Sequence, residues 1–260
     1  MSTSIDSIKL YHKEYFLKQV DGFSEFDTFN GKFENLFYRY QRNIALLDLK
    51  SQHTYLEYGC GRGEICIYHA INGGESVGVD YSIDAIRLAQ EKAKHLKVKI
   101  SLFHGSFNSF HSGNKKFDRI MASEFIEHIS KTEGELFIKI AVSLLNEGGK
   151  LLIFTHPNTL QRKCGYPAIR FAAKMLGKKL PKHQPDTTNE HYKLYHLNEQ
   201  NFFSLQSLAK KAKVRRYKIG YDSFLRAASN QPIRNVIKVI INKTFLRHFF
   251  LTDLYLILEK

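Results

Sequence analysis

The sequence predicts an α/β protein built on a mostly parallel sheet with helices on both faces. Three observations carry this. From residue 53 onward, short apolar runs alternate with stretches of helical period. A glycine-rich turn, Gly59-Cys60-Gly61-Arg62-Gly63, stands between the first apolar run and the first of those helical stretches. The 260 residues are 43% apolar and 25% charged, the balance of an ordinary globular protein rather than a disordered or fibrous one. Parallel strands need helical crossovers, so this alternation means βαβ units.

Residues 1–50 read as an N-terminal helical segment, with helices over 5–19 and 32–49 and ten aromatic residues. It either packs on the main domain or forms a lid over a ligand, and one segment can do both. Residues 51–260 form the main domain. Its strands are expected at 54–58, 76–80, 98–103, 117–122, 150–155, 214–220 and 253–259, and its helices at 63–72, 82–95, 131–146 and 198–213. Two insertions, 158–190 and 223–251, interrupt the rhythm. In the first, Pro167 opens a helix and Gly177 closes one, with Ile169, Ala172, Ala173 and Leu176 on one face beside Arg170 and Lys174. In the second, Ile233, Val236, Ile237 and Ile240 share a face while Arg234 and Lys238 lie elsewhere, and no acid occurs from Ser223 to Thr252.

Charge is placed unevenly. The formal net charge is +14. Residues 1–156 hold 19 basic and 19 acidic residues, whereas residues 157–260 hold 20 basic and 6 acidic ones. All 5 prolines fall in that second part. A localised basic excess points to an anionic partner. Three cysteines without a Cys-x-x-Cys pair fit a reducing compartment. The opening residues lack an apolar signal core, and no run approaches the roughly 20 apolar residues of a membrane span. A cytoplasmic protein is expected, with a peripheral position at the inner face of the membrane as an extension of the basic surface.

The sharpest motif is Glu57-Tyr58-Gly59-Cys60-Gly61-Arg62-Gly63. It does not fit the Gly-x-Gly-x-x-Gly spacing of a dinucleotide loop in either register, because Glu64 or Cys66 takes the third glycine position. Glu64 also places a carboxylate where a pyrophosphate would sit. Asp80 ends the next strand, at a tip where a carboxylate accepts from both ribose hydroxyls, and Tyr81 follows it. Together these residues describe a nucleoside ligand without phosphate and with a cationic tail near Glu57.

In these residues the chain resembles the class I S-adenosylmethionine-dependent methyltransferases. Glu57, Gly59, Gly61 and Gly63 match that family's first motif. Asp80 matches its ribose acid, and Phe117-Asp118-Arg119-Ile120 through His128 matches its segment after strand four. Gly148-Gly149 matches the pair before strand five. The resemblance implies a Rossmann-like seven-stranded sheet with an antiparallel last strand. It also implies S-adenosyl-L-methionine held by Glu57, Gly59, Cys60, Gly61, Gly63, Asp80, Tyr81, Ser106, Phe107 and Ser123. Where many members carry an acid after strand three, this chain reads Gly105-Ser106-Phe107, so Ser106 or a backbone group takes the adenine contact.

After strand four comes Glu124-Phe125-Ile126-Glu127-His128. On a helical turn Glu124, Glu127 and His128 share a face at the ligand crevice. Three roles stay open. They bind a divalent metal (Mg²⁺, Mn²⁺ or Zn²⁺) together with His191, with His156 as the competing histidine. Alternatively His128 is a general base oriented by Glu127, or the cluster is structural. The segment is similar to the Glu-x-x-Glu-His of ubiquinone-biosynthesis O-methyltransferases and of small-RNA 2′-O-methyltransferases. No Asn-Pro-Pro-Tyr follows strand four and no cysteine lies in a Pro-Cys context, so an oxygen acceptor is favoured over adenine amines or pyrimidine C5.

The expected function is O-methylation of a small-molecule or lipid- or glycan-linked hydroxyl. The alternatives are an RNA methyltransferase and a catalytically inactive methyltransferase-like subunit. For the basic insertions, an anionic membrane surface and a solvated basic face stand ahead of RNA.

Overall fold

The computed structural model describes residues 11–184, 196–222 and 240–260. The chain begins with α1 (Lys13–Lys18), α2 (Phe23–Thr28), a 3₁₀ turn at Phe33–Asn35 and α3 (Tyr38–Leu47). Then come β1 (Thr54–Tyr58), α4 (Glu64–Ile71), β2 (Glu75–Asp80), α5 (Ile83–His95), β3 (Ser101–His104) and β4 (Phe117–Ser123). A 3₁₀ turn at Ile126–His128 leads into α6 (Lys131–Ser143) and β5 (Leu145–Thr155). A π-helical turn at Gln161–Gly165 and α7 (Tyr166–Met175) follow, then α8 (Phe202–Lys211), β6 (Arg216–Asp222), α9 (Arg247–Phe250) and β7 (Asp253–Glu259).

One seven-stranded sheet has the order β3-β2-β1-β4-β5-β7-β6. The pairs β1–β2, β1–β4, β2–β3 and β4–β5 are parallel. β7 runs antiparallel to both β5 and β6. The expected seven strands and antiparallel last strand are therefore present. The strand order reverses beside β1, which opens a crevice at the carboxyl ends of β1 and β4, where such sheets bind ligands.

Strand alternation sorts the core. Leu56, Tyr58, Ile120, Ala122, Leu151 and Ile153 face α6 and α8, represented by Phe137, Ala141, Leu205 and Leu208. Tyr55, Met121, Leu152, Phe154 and Tyr255 face α3, α4 and α5, represented by Ile44, Leu47, Ile65 and Ile86. A satellite of Phe16, Phe26, Ala85 and Leu88 attaches α1 and α2 to α5. The N-terminal segment is thus packed on the domain, with shorter helices than the sequence suggested.

Two other differences have local causes. β5 starts at Leu145 rather than 150, because Gly148 (φ 73°) lets the chain turn within an irregular pairing between Phe117 and Arg119 of β4. The expected helical turn over residues 124–128 is broken at its start: Glu124 is left-handed (φ 51°) and only Ile126–His128 coils, as 3₁₀. Of the second insertion, Ile233, Arg234, Val236, Ile237 and Lys238 lie outside the described residues, as does His191.

Candidate active site

The glycine loop joins β1 to α4 at the sheet's reversal point. Gly61 has φ 52° and Gly63 has φ 75°, backbone that side chains rarely adopt. A Cβ on Gly63 would also lie 2.9 Å from the Ala89 Cβ of α5. Beneath the loop, the buried Asp80 carboxylate accepts from Gly61 N–H at 2.9 Å and from Ser82 N–H at 2.8 Å. Ser82 in turn caps α5, its hydroxyl accepting from Ala85 N–H. Burial pushes the Asp80 carboxyl up to about 6, against those two bonds.

Glu57 is buried under the same loop, where Cys66 Sγ donates to its carboxylate at 3.3 Å. Burial pushes it up to about 8. Two of the expected ligand residues have buried side chains. Cys60 is buried with its Sγ against Gly78 of β2, so only its backbone faces the loop. Phe107 is buried edge-on to Phe125 and Phe137, which also leaves it backbone groups alone. Ser106 hydroxyl bonds locally to Asn108 and Ser109, and Ser123 hydroxyl accepts from Asn43 Nδ2 at 2.8 Å.

The N-terminal segment closes over this loop. Arg62, the variable residue between the last two glycines, is 2% exposed. Its Nη1 donates to Phe16 O at 2.8 Å and its Nη2 to Asp21 O at 3.2 Å. It also pairs with Glu64 at 2.8 Å and lies over the Phe26 ring. Tyr11 packs edge-on against Tyr81, its carbonyl accepts from Ser82 Oγ, and its hydroxyl lies 3.2 Å from His128 Nδ1. The N-terminal segment is thus packed against the glycine loop, β2's tip and the turn at His128.

The Glu124-x-x-Glu127-His128 residues do not share a face. Glu124 turns to the guanidinium of Arg39, which also pairs with Asp21 at 3.2 Å. Burial opposes the charge of Arg39, but Glu124, Asp253 and Asp21 more than offset it. Glu127 points inward, where Thr155 Oγ1 donates to it at 3.0 Å and His156 N–H at 3.4 Å. Burial and the neighbouring Glu124 push it up to about 8. It therefore does not orient His128, whose ring meets Tyr11 on one side and His196 on the other, with ring centroids 5.0 Å apart in the latter pair. Burial, then the charges of His128 and His156, hold His196 down at about 3. Nearby, His156 Nδ1 and Asp253 are 3.1 Å apart. Burial opposes charging of His156, and Asp253 outweighs it and raises the imidazole.

This arrangement does not fit a metal among the described residues. A guanidinium already neutralises Glu124, Glu127 is tied to Thr155 and the strand, and no group of three or more His, Cys, Asp and Glu is disposed to hold an ion.

Arg39, Asn43 and Asp253 belong to none of the sequence motifs, and Arg62 lies in one without a sign of its packing role. Arg39 and Asn43 were visible as polar residues at i and i+4 on the stripe of α3 that ends in Leu47, all three of them buried. Asn43 Oδ1 and Arg39 Nε have no hydrogen-bond partner among the described residues. They are buried polar atoms beside the crevice end of β4.

Residues 56–149 match the family described as "Methyltransferase domain". The chain is 28% identical over 106 residues to a ubiquinone biosynthesis O-methyltransferase of Azorhizobium caulinodans, covering 41% of each chain. It is 28% identical over 147 residues to an uncharacterized methyltransferase of Anoxybacillus flavithermus, covering 56% of this chain and 66% of that one. The match thus spans about two fifths of the length of the ubiquinone-pathway relatives. In structure it resembles a SAM-dependent methyltransferase from Archaeoglobus fulgidus, with TM-score 0.52, 22% identity and coverage of 90% and 97%. It also resembles magnesium protoporphyrin IX methyltransferase from Synechocystis with bound SAH, with TM-score 0.55, 14% identity and coverage of 100% and 95%. These structural likenesses establish the fold.

Proposed function

We infer that this chain, a class I S-adenosylmethionine-dependent methyltransferase in fold and in its glycine-loop motif, moves a methyl group to a hydroxyl oxygen. The acceptor is a small or lipid- or glycan-linked alcohol or phenol. One observation carries the reading: Asp80 fixes the glycine loop through Gly61, while the N-terminal segment bridges from beside that loop to His128 through Tyr11. A cofactor loop and a candidate base are thereby tied together under one cover.

S-adenosylmethionine supplies an electrophilic methyl on its sulfonium. Asp80, at the tip of β2, would accept from the ribose hydroxyls, and Tyr81 would pack against the base. Glu57 and its Cys66 bond hold the loop from below. His128 takes the acceptor's hydroxyl proton at Nε2, which requires Nδ1–H to donate to the Tyr11 oxygen and so fixes the tautomer. Tyr11 and α1 exclude water, so orientation in a dry crevice supplies much of the acceleration. The ubiquinone-pathway relative, an O-methyltransferase by name, supports oxygen as acceptor.

The test is calorimetry with S-adenosylhomocysteine, followed by transfer of labelled methyl to a panel of phenols and polyprenyl-linked alcohols. Binding with transfer to a phenol or alcohol is expected, with His128→Ala retaining binding and losing roughly 100-fold or more in kcat. An absence of cofactor binding overturns the reading. Unchanged kcat in the variant removes His128 as base.

A further inference from the structure

The described parts of the two basic insertions, far apart in sequence, meet at one junction. The carbonyls of His248 and Leu251 accept from Asn158 Nδ2 at 2.8 and 2.9 Å, and Asn158 N–H donates to Thr252 O at 2.8 Å. Asn158 is completely buried. At Gly165 the backbones touch: a Cβ there would lie 1.6 Å from Phe249 O. The turn Gln161–Gly165 and α9 are therefore locked together directly after β5, beside Thr155 and His156.

From this junction α7 projects without burying a single residue. Phe171 is 69%, Met175 73% and Leu176 76% exposed. Phe245 and Leu246 are exposed on the adjoining segment. Lys163, Arg170, Lys174, Lys178, Lys179 and Lys182 are exposed among them. No Asp or Glu occurs from 157 to 184. A globular protein does not usually leave large apolar side chains contiguous and uncovered. A helix that mixes them with cations and lacks acids has the pattern of interfacial helices.

We propose that this paired surface, α7 with the segment 243–247, docks on an anionic lipid bilayer. Apolar tips would enter the headgroup boundary while lysines and arginines meet the phosphates. The exposed apolar residues are largely aliphatic (Ile169, Met175, Leu176, Leu246), which suits acyl chains better than the base stacking RNA demands. Two such basic faces repel one another, which disfavours a second copy as occupant. The surface is separate from the glycine loop, so its failure and that of the methyl-transfer reading are distinguishable.

The test uses the full chain with vesicles of phosphatidylcholine alone or mixed with phosphatidylglycerol. Cys164 is exposed in this surface while Cys60 and Cys66 are buried, so an environment-sensitive fluorophore on Cys164 reports insertion. Binding and a blue shift are expected on the anionic vesicles only. Both should weaken as salt shortens the screening length from ~10 Å at 0.1 M to ~3 Å at 1 M. Lys174→Gln with Lys178→Gln should weaken binding roughly 25-fold, about fivefold per charge. Phe171→Ser with Leu176→Ser should abolish the blue shift. Neither pair should change S-adenosylhomocysteine affinity, which also shows that the variants fold. Equal binding to neutral vesicles, no vesicle binding, or salt-sensitive RNA binding without preference for anionic lipid would each overturn the proposal.

Discussion

The hydroxyl of Tyr11 lies 3.2 Å from Nδ1 of His128, joining residues 117 positions apart across the crevice. Tyr11 also meets Tyr81 edge-on, with ring centroids 5.2 Å apart. Tyr11→Phe keeps that ring contact and removes the hydroxyl that faces both His128 Nδ1 and the Tyr81 side chain, the oxygen that on the proposed reading fixes the His128 tautomer. One ordinary hydrogen bond is worth about 1 kcal/mol, so kcat should fall roughly fivefold while cofactor affinity changes little. Steady-state kinetics checks this. A loss confined to cofactor KM would instead make Tyr11 a lid residue alone.

Arg39 is 3% exposed and holds Glu124 in its left-handed position. Arg39→Met removes a buried cation and leaves the partly exposed Glu124 without its partner. Breaking a buried pair costs about 3–5 kcal/mol, and the residual exposure of Glu124 places this case near ~3 kcal/mol. Adding Glu124→Gln removes the stranded charge, so the double variant should be more stable than Arg39→Met. Urea denaturation of the single and double variants measures the coupling. Additive losses would mean that the pair does not support the fold.

The same pair explains what the sequence made legible and what it did not. The βαβ rhythm, the glycine loop and Asp80 are local signals, since turn chemistry and strand alternation act over a few residues. The turn at 124–128 is not local. Its face depends on Arg39, 85 positions earlier, pulling Glu124 away while Thr155 and the His156 amide draw Glu127 inward. Spacing alone placed three side chains on one face that the fold separates. Likewise Cys60 and Phe107 stand within or beside motif positions, and only packing against Gly78 and Phe137 shows that their side chains belong to the core. Arg62 was readable as part of the glycine motif, but not as the anchor of the N-terminal segment.

Asp80 predicts a pH-dependent cofactor affinity. Burial pushes its carboxyl up to about 6. Ribose hydroxyls need the ionised form as acceptor, so S-adenosylhomocysteine should bind well above that pH and more weakly as pH falls through it. Asp80→Ala should lose roughly 1–3 kcal/mol of binding at neutral pH through unpaired polar groups and show little of this pH dependence. Calorimetry from pH 5 to 8 separates the two. A flat profile in the unaltered protein would show that the Asp80 carboxylate is not the ribose acceptor.

Glu127 makes a prediction for stability that runs opposite to ordinary acid denaturation. Burial and the adjacent Glu124 push it from an ordinary carboxyl value up to about 8. The folded state then binds the proton more tightly than the unfolded chain does. Stability is therefore highest while the unfolded chain is also protonated, and it declines as pH rises between the two values, until both states are ionised above about 8. Glu57, also pushed up to about 8 by burial, acts in the same direction. Melting temperature should fall between pH 6 and pH 9. Glu127→Gln keeps an acceptor for Thr155 Oγ1 and cannot ionise, so it should flatten part of that decline and exceed the unaltered protein in stability at pH 9. Glu127→Gln with Glu57→Gln should flatten more of it. Differential scanning calorimetry across that range checks both. A decline of equal slope in Glu127→Gln would mean that Glu127 ionises in the folded protein at the usual carboxyl value, and that its bonds to Thr155 and the His156 amide outweigh its burial.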